Sequence, residues 1–84
     1  MKLTFKGKSA VVSGASGGMG IECVKKLNDS GLKVLMLDLN SPPASFLKKY
    51  NKAVFKKVDV TNSTKLKKII NEFYAENKSI DYLV

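Results

Sequence analysis

Residues 12–20 read VSGASGGMG, which places four glycines in the seven positions from Gly14 to Gly20, directly after an apolar run. Glycine loses more backbone freedom on folding than any other residue, so this crowding is costly unless the chain needs left-handed backbone or a close approach by another group. The flanking residues narrow that need. Upstream, Ser9 to Gly14 (SAVVSG) is a short β-branched run ended by glycine, the pattern of a strand buried on both faces. Downstream, Ile21, Val24 and Leu27 recur at helical spacing up to Asn28, and Gly31 stands where a left-handed C-cap belongs. The chain is therefore expected to run strand, glycine turn, helix.

The same alternation continues. Lys33 to Asn40 (KVLMLDLN) predicts a second strand, apolar from Val34 to Leu37 and abruptly acidic at Asp38. Ser41, Pro42 and Pro43 are expected to begin a short helix in which Phe46, Leu47 and Tyr50 share a face, since proline is tolerated in a first turn. Ala53 to Val60 (AVFKKVDV) reads as a third strand. The following TNST offers capping side chains to a helix over 62–77 with the apolar stripe Leu66, Ile69, Ile70 and Phe73. IDYLV, from Ile80, starts a fourth strand. Strands alternating with helices imply an α/β fold with a parallel sheet. Right-handed crossovers send strands one, two and three outward in one direction with their helices on one face. A fourth strand returning beside the first puts helix 62–77 on the other face. The expected architecture is a Rossmann-like parallel sheet of strand order 3-2-1-4, an incomplete doubly wound fold, formed by residues 1–84 as one domain. At this length the chain buries only about 60–65% of its unfolded surface.

In such a fold a glycine turn between strand and helix lets backbone amides approach a pyrophosphate, and the helix N-terminus adds unpaired N–H donors with about half a positive charge. Asp38 ends the next strand 18 residues after Gly20, where a carboxylate can accept hydrogen bonds from the ribose hydroxyls of a dinucleotide. Its charge repels a 2′-phosphate, and no lysine interrupts the glycine loop, so NAD is favoured over NADP. The alternatives are a plain glycine turn and a solvated aspartate at a strand end. Asp59 likewise follows an apolar strand at the carboxyl edge of the sheet, where ligands of such folds bind; a turn or helix N-cap is the competing role.

These residues resemble the short-chain dehydrogenase/reductase family. SGASGGMG (Ser13 to Gly20) is similar to its TGxxxGxG cofactor loop, with Ser13 in place of threonine, and FKGKSAVVSG, DVT (Asp59 to Thr61) and IDYLV follow in the family's order over nearly the whole chain. The glycines also satisfy TGxxGxxG of the nucleotide-sugar epimerase branch, but DVT, the long helix and IDYLV resemble the shorter dehydrogenase branch better. The resemblance implies that Gly14, Gly17, Gly18 and Gly20 shape the turn. It has Ser16, Gly17 and Met19 line ribose and pyrophosphate, Asp38 and Leu39 hold the adenosine, and Asp59 and Val60 meet the adenine edge. It further implies hydride transfer between NAD(H) and a small alcohol or ketone, and a homo-oligomeric parent protein. LDLN and VFKKVDVT look faintly like the 3-hydroxyacyl-CoA and hydroxysteroid dehydrogenase subgroup. The family's catalytic serine, tyrosine and lysine come later than these 84 residues, so the chain is expected to be the cofactor-binding half of such an enzyme and to lack the catalytic half. With one edge strand open and one sheet face thinly covered, it is expected to be marginally stable or self-associating.

Other functions are weighed by the same residues. The net charge of +8 invites a nucleic-acid reading, yet all 15 basic residues are lysine, scattered from Lys2 to Lys78, and none supplies the bidentate fork of arginine; no nucleic-acid partner is expected. A non-catalytic NAD-binding module remains the alternative of a different class. Tyr74 and Lys78 in YAENK match the family's Tyr-x-x-x-Lys spacing, but they fall in the helix before the fourth strand, too early in the chain to be that pair. Cys23 sits on the packed first helix as a small buried residue. There is no histidine and no metal-ligand spacing. A single cysteine, and no apolar stretch long enough for a signal peptide or a membrane span, fit a soluble cytoplasmic protein without a membrane partner.

Overall fold

The computed structural model describes residues 7–84. The elements are β1 (Ser9–Ser13), α1 (Gly18–Asp29), β2 (Lys33–Asp38), α2 (Ala44–Lys49), β3 (Ala53–Lys57), α3 (Ser63–Asn77) and β4 (Tyr82–Leu83). All strand pairs are parallel and the sheet order is β3-β2-β1-β4, as the alternation predicts.

Period-two alternation divides the central strands between two cores. Ala10 and Val12 of β1, with Val34 and Met36 of β2, pack on one face against Val24 and Leu27 of α1, with Cys23, Phe46 and Leu47 at the margin. Val11, Leu35 and Leu37 point the other way and meet the α3 stripe of Leu66, Ile69, Ile70 and Phe73. The near-continuous apolar runs of β1 and β2 are thus explained by cover on both faces. Leu27, Leu32, Leu35 and Leu37 are at most 2% exposed, and burying each such side chain contributes about 1.5–3 kcal/mol.

Several boundaries differ from the sequence expectation, each for a local reason. α2 begins at Ala44 with Pro43 as its N-cap, so Ser41, Pro42 and Pro43 precede the helix rather than form its first turn. Tyr50 is the C-cap, its ring 4.7 Å from that of Phe46. β3 stops at Lys57 instead of Val60, because the Asp59 carboxylate accepts from the Thr61 N–H (2.9 Å) and hydroxyl (2.6 Å) and turns the chain. α3 ends at Asn77 as expected, and its C-cap is Lys78, a non-glycine residue in left-handed backbone (φ +64°). The Lys78 N–H donates to the Tyr74 carbonyl at 2.7 Å.

The short β4 is fastened to β1 at both ends. At the entry, Asp81 Oδ2 accepts from the N–H groups of Lys8 (2.6 Å) and Ser9 (3.2 Å), and the Ser9 hydroxyl donates to the Ser79 carbonyl. The Lys8 and Ser9 amides hold the Asp81 carboxyl below its ordinary range. Gly7 has φ +137°, and a Cβ there would lie 2.8 Å from Asp81, so this turn tolerates only glycine. At the exit, the N–H and hydroxyl of Ser13 both donate to the Val84 carbonyl at 2.9 Å. Among the described residues no helix is long and apolar enough to cross a membrane.

Candidate functional site

The glycine turn stands at the carboxyl edge of the sheet between β1 and α1. Gly14 takes left-handed backbone (φ +62°), and the Gly17 N–H closes on the Gly14 carbonyl at 3.2 Å. Buried Ala15 donates its N–H to the Leu37 carbonyl at 3.2 Å, which draws the turn against the end of β2. Gly20 is needed for a different reason, since a Cβ there would lie 2.3 Å from the Gly14 carbonyl oxygen and 2.8 Å from the Ala15 Cα. Only glycine lets the first turn of α1 lie on the loop. At Gly18, by contrast, an added Cβ meets nothing within 4 Å.

The N-terminus of α1 is left unfinished by the protein. Its N-cap is Gly17, which has no capping side chain, and no acidic residue occupies the first turn. Ile21 makes the first ladder bond, to the Gly17 carbonyl at 2.8 Å. The N–H groups of Gly18, Met19 and Gly20 precede it and have no acceptor within the helix. Met19 is 91% exposed and Gly17 and Gly18 are exposed with it, so the start of the helix opens to solvent.

Asp38, at the end of β2, joins this turn to the next. Its Oδ2 accepts from the Ser16 N–H at 3.0 Å and its Oδ1 from the Asn40 N–H at 3.1 Å, while the Ser16 hydroxyl donates to the Asn40 carbonyl at 2.6 Å. The Asn40 amide first, and the Ser16 amide second, hold the Asp38 carboxyl below its ordinary range. A carboxylate offers about four lone-pair positions; these two bonds leave each oxygen able to accept another. The Val58 N–H donates to the Asp38 carbonyl at 3.0 Å, so Asp59 and Val60 begin beside the same corner. Leu39 and Val60 are exposed there. The carboxylate of Asp59 is occupied by Thr61, chiefly through its hydroxyl, which lowers its pKa. The structure thus gathers Gly14, Ser16, Gly17, Gly18, Met19, Gly20, Asp38 and Leu39 around one ledge, with Asp59 and Val60 at its border. Ala15 and Asn40 act through main-chain atoms, which the sequence does not single out. Among the described residues no cluster of His, Cys, Asp or Glu could hold a metal ion.

This corner suits a dinucleotide. Open amides at a helix N-terminus fit a diphosphate, the space over Gly18 admits it, and a half-exposed carboxylate held ionised suits ribose hydroxyls. Residues 8–84 match the family model described as short chain dehydrogenase. The chain belongs to the short-chain dehydrogenase family. Over 79 residues it is 25% identical to the uncharacterized oxidoreductase YDL114W of Saccharomyces cerevisiae, covering 94% of this chain and 26% of that protein. Its fold matches a short chain dehydrogenase from Leptospira borgpetersenii with bound NAD+, with a TM-score of 0.78 and 29% identity over 95% of this chain and 31% of that one. It also matches an actinorhodin polyketide ketoreductase with NADPH, with a TM-score of 0.78 and 22% identity, over 90% of this chain and 31% of that one; at that identity the likeness is one of fold. This short-chain dehydrogenase chain spans about a third or less of the length of these relatives.

Proposed function

We propose that these residues are the cofactor-binding part of an NAD-dependent oxidoreductase that interconverts an alcohol and a ketone. The diphosphate rests on the N–H groups of Gly18, Met19 and Gly20, with Gly14 and Gly17 shaping the turn and Ser16 holding it to β2. Asp38 accepts the adenosine ribose hydroxyls through the lone pairs that Ser16 and Asn40 leave free. Leu39 and Val60 provide apolar contact for the adenosine, and Asp59 stands at its adenine edge. Bound NAD supplies the hydride acceptor of the oxidation, and its reduced form the donor of the reverse reaction. The residues here bind and orient; the acid–base groups of the chemistry belong to other parts of the enzyme.

The observation that carries this reading is the uncapped start of α1 beside a carboxylate held ionised by two main-chain amides. That charge opposes a 2′-phosphate, which is the basis for NAD over NADP. Fluorescence titration with NADH and NADPH tests it. NADH is expected to bind more tightly, and Asp38→Asn to narrow the difference about five- to tenfold, the scale of one unit charge near a partly solvated phosphate. A wild-type preference for NADPH overturns the assignment.

A further inference from the structure

A second concave surface lies away from the glycine loop, along the outer side of β3 and the flank of α3. Two adjoining depressions share Lys56, Ile69 and Glu72. One, of about 150 Å³, has an apolar floor of Leu35, Val54, Ile69 and Phe73. The other, of about 330 Å³, is rimmed by Lys56, Lys57, Lys65 and Lys68. Four lysines and one acidic residue, Glu72, line that second depression, Glu76 lines the first, and among the described residues none of the four lysines is in an ion pair.

The neighbouring backbone is open as well. β3 is an edge strand, paired with β2 alone. Its even-numbered residues bond inward, Lys52 through its carbonyl to the Val34 N–H and Val58 through its N–H to the Asp38 carbonyl, both at 3.0 Å. The alternation of a parallel ladder then turns the main-chain groups of Phe55 and Lys57 outward.

We propose that this groove docks an extended acidic segment of a protein partner, which adds a strand to β3 and sets its carboxylates against Lys56, Lys65 and Lys68. Successive residues of an added strand face opposite sides of the sheet, so its acidic residues, at every second position, face α3 and the apolar ones between them lie on the side of Phe55. Edge lysines repel an identical edge, so a second copy of this chain is disfavoured by the charges that attract an acidic strand. A single-stranded nucleic acid needs exposed rings for base stacking, whereas the one aromatic residue lining the groove, Phe73, is buried.

The probe is a fluorescein-labelled peptide of alternating Glu and Val, titrated into the full chain and followed by anisotropy. Saturable binding is expected. The exposed pair Lys65→Glu and Lys68→Glu should weaken it by about tenfold or more, while Lys48→Glu and Lys49→Glu on α2 should change it by less than about twofold, because complementary charge acts through proximity. Circular dichroism checks that each variant is folded, and hydrogen exchange should show the Phe55 and Lys57 amides slowed by the peptide. No binding, equal weakening by the two lysine pairs, unprotected β3 amides, or tighter binding of oligouridylate than of the peptide would each overturn the proposal.

Discussion

The two strand-to-helix turns after β1 and β3 leave the same edge of the sheet and finish their helices in opposite ways. The turn after β3 satisfies itself: Asp59 bonds Thr61, and the Asn62 side chain caps α3 by accepting from the Lys65 N–H at 3.2 Å. The turn after β1 uses its side-chain bonds to hold its own shape, through Ser16, Asp38 and Asn40, and leaves the start of α1 without a cap. A self-capped helix adds stability and offers nothing to a ligand. An uncapped one gives up part of that stability and keeps donors for an anion.

The contrast can be broken most sharply at Gly20. Because a Cβ there meets the Gly14 carbonyl, Gly20→Ala should cost about 1–3 kcal/mol, read by denaturant unfolding, and should abolish measurable NADH binding. Next comes the self-capped turn: Asn62→Ala should lose about 1 kcal/mol while leaving the NADH affinity unchanged, which would show that the α3 cap is structural. A smaller effect joins both turns and the entry to β4. Asp38, Asp59 and Asp81 are held below their ordinary range by hydrogen bonds, so the folded chain binds protons less readily than the unfolded one. The stability they contribute is present above the unfolded carboxylate value of about 3.9 and is lost as pH falls below it through the lowered values. Melting temperatures recorded from pH 6 down to pH 3 should therefore fall, and a curve flat in that interval would contradict the hydrogen bonds. The smallest change in stability belongs to Gly18→Ala. With no protein atom near the new Cβ, the melting temperature should stay put or rise slightly, since alanine restricts the unfolded chain, while NADH binding weakens, separating space kept for a ligand from space needed by the fold.

Much of this was legible from residue order. β1 and β2 announce themselves by β-branched and aliphatic runs ended by glycine or acid, and the stripe Leu66, Ile69, Ile70, Phe73 marks the buried side of α3. The strand order followed because the crossovers leave few choices. What escaped was local and depended on neighbours distant in sequence. β3 looks longer than it is, because Val58, Asp59 and Val60 keep a strand-like pattern while the Asp59–Thr61 bonds turn the chain. Lys78 resembles a helical residue by its spacing from Tyr74 but takes the left-handed cap position more often filled by glycine.

Periodicity and glycine placement by themselves determined the alternation of elements, the two faces of the sheet and the position of the turn with Asp38, since these depend on spacing along the chain and on steric rules that act within a few residues. Only the tertiary structure decided that Asp38 ties Ser16 to Asn40, that Gly20 is required by the Gly14 carbonyl, that Asp81 and Ser13 clasp β4, and that lysines from β3 and α3 share a groove. Each of those joins groups brought within a few ångströms by folding, a proximity that no local pattern encodes.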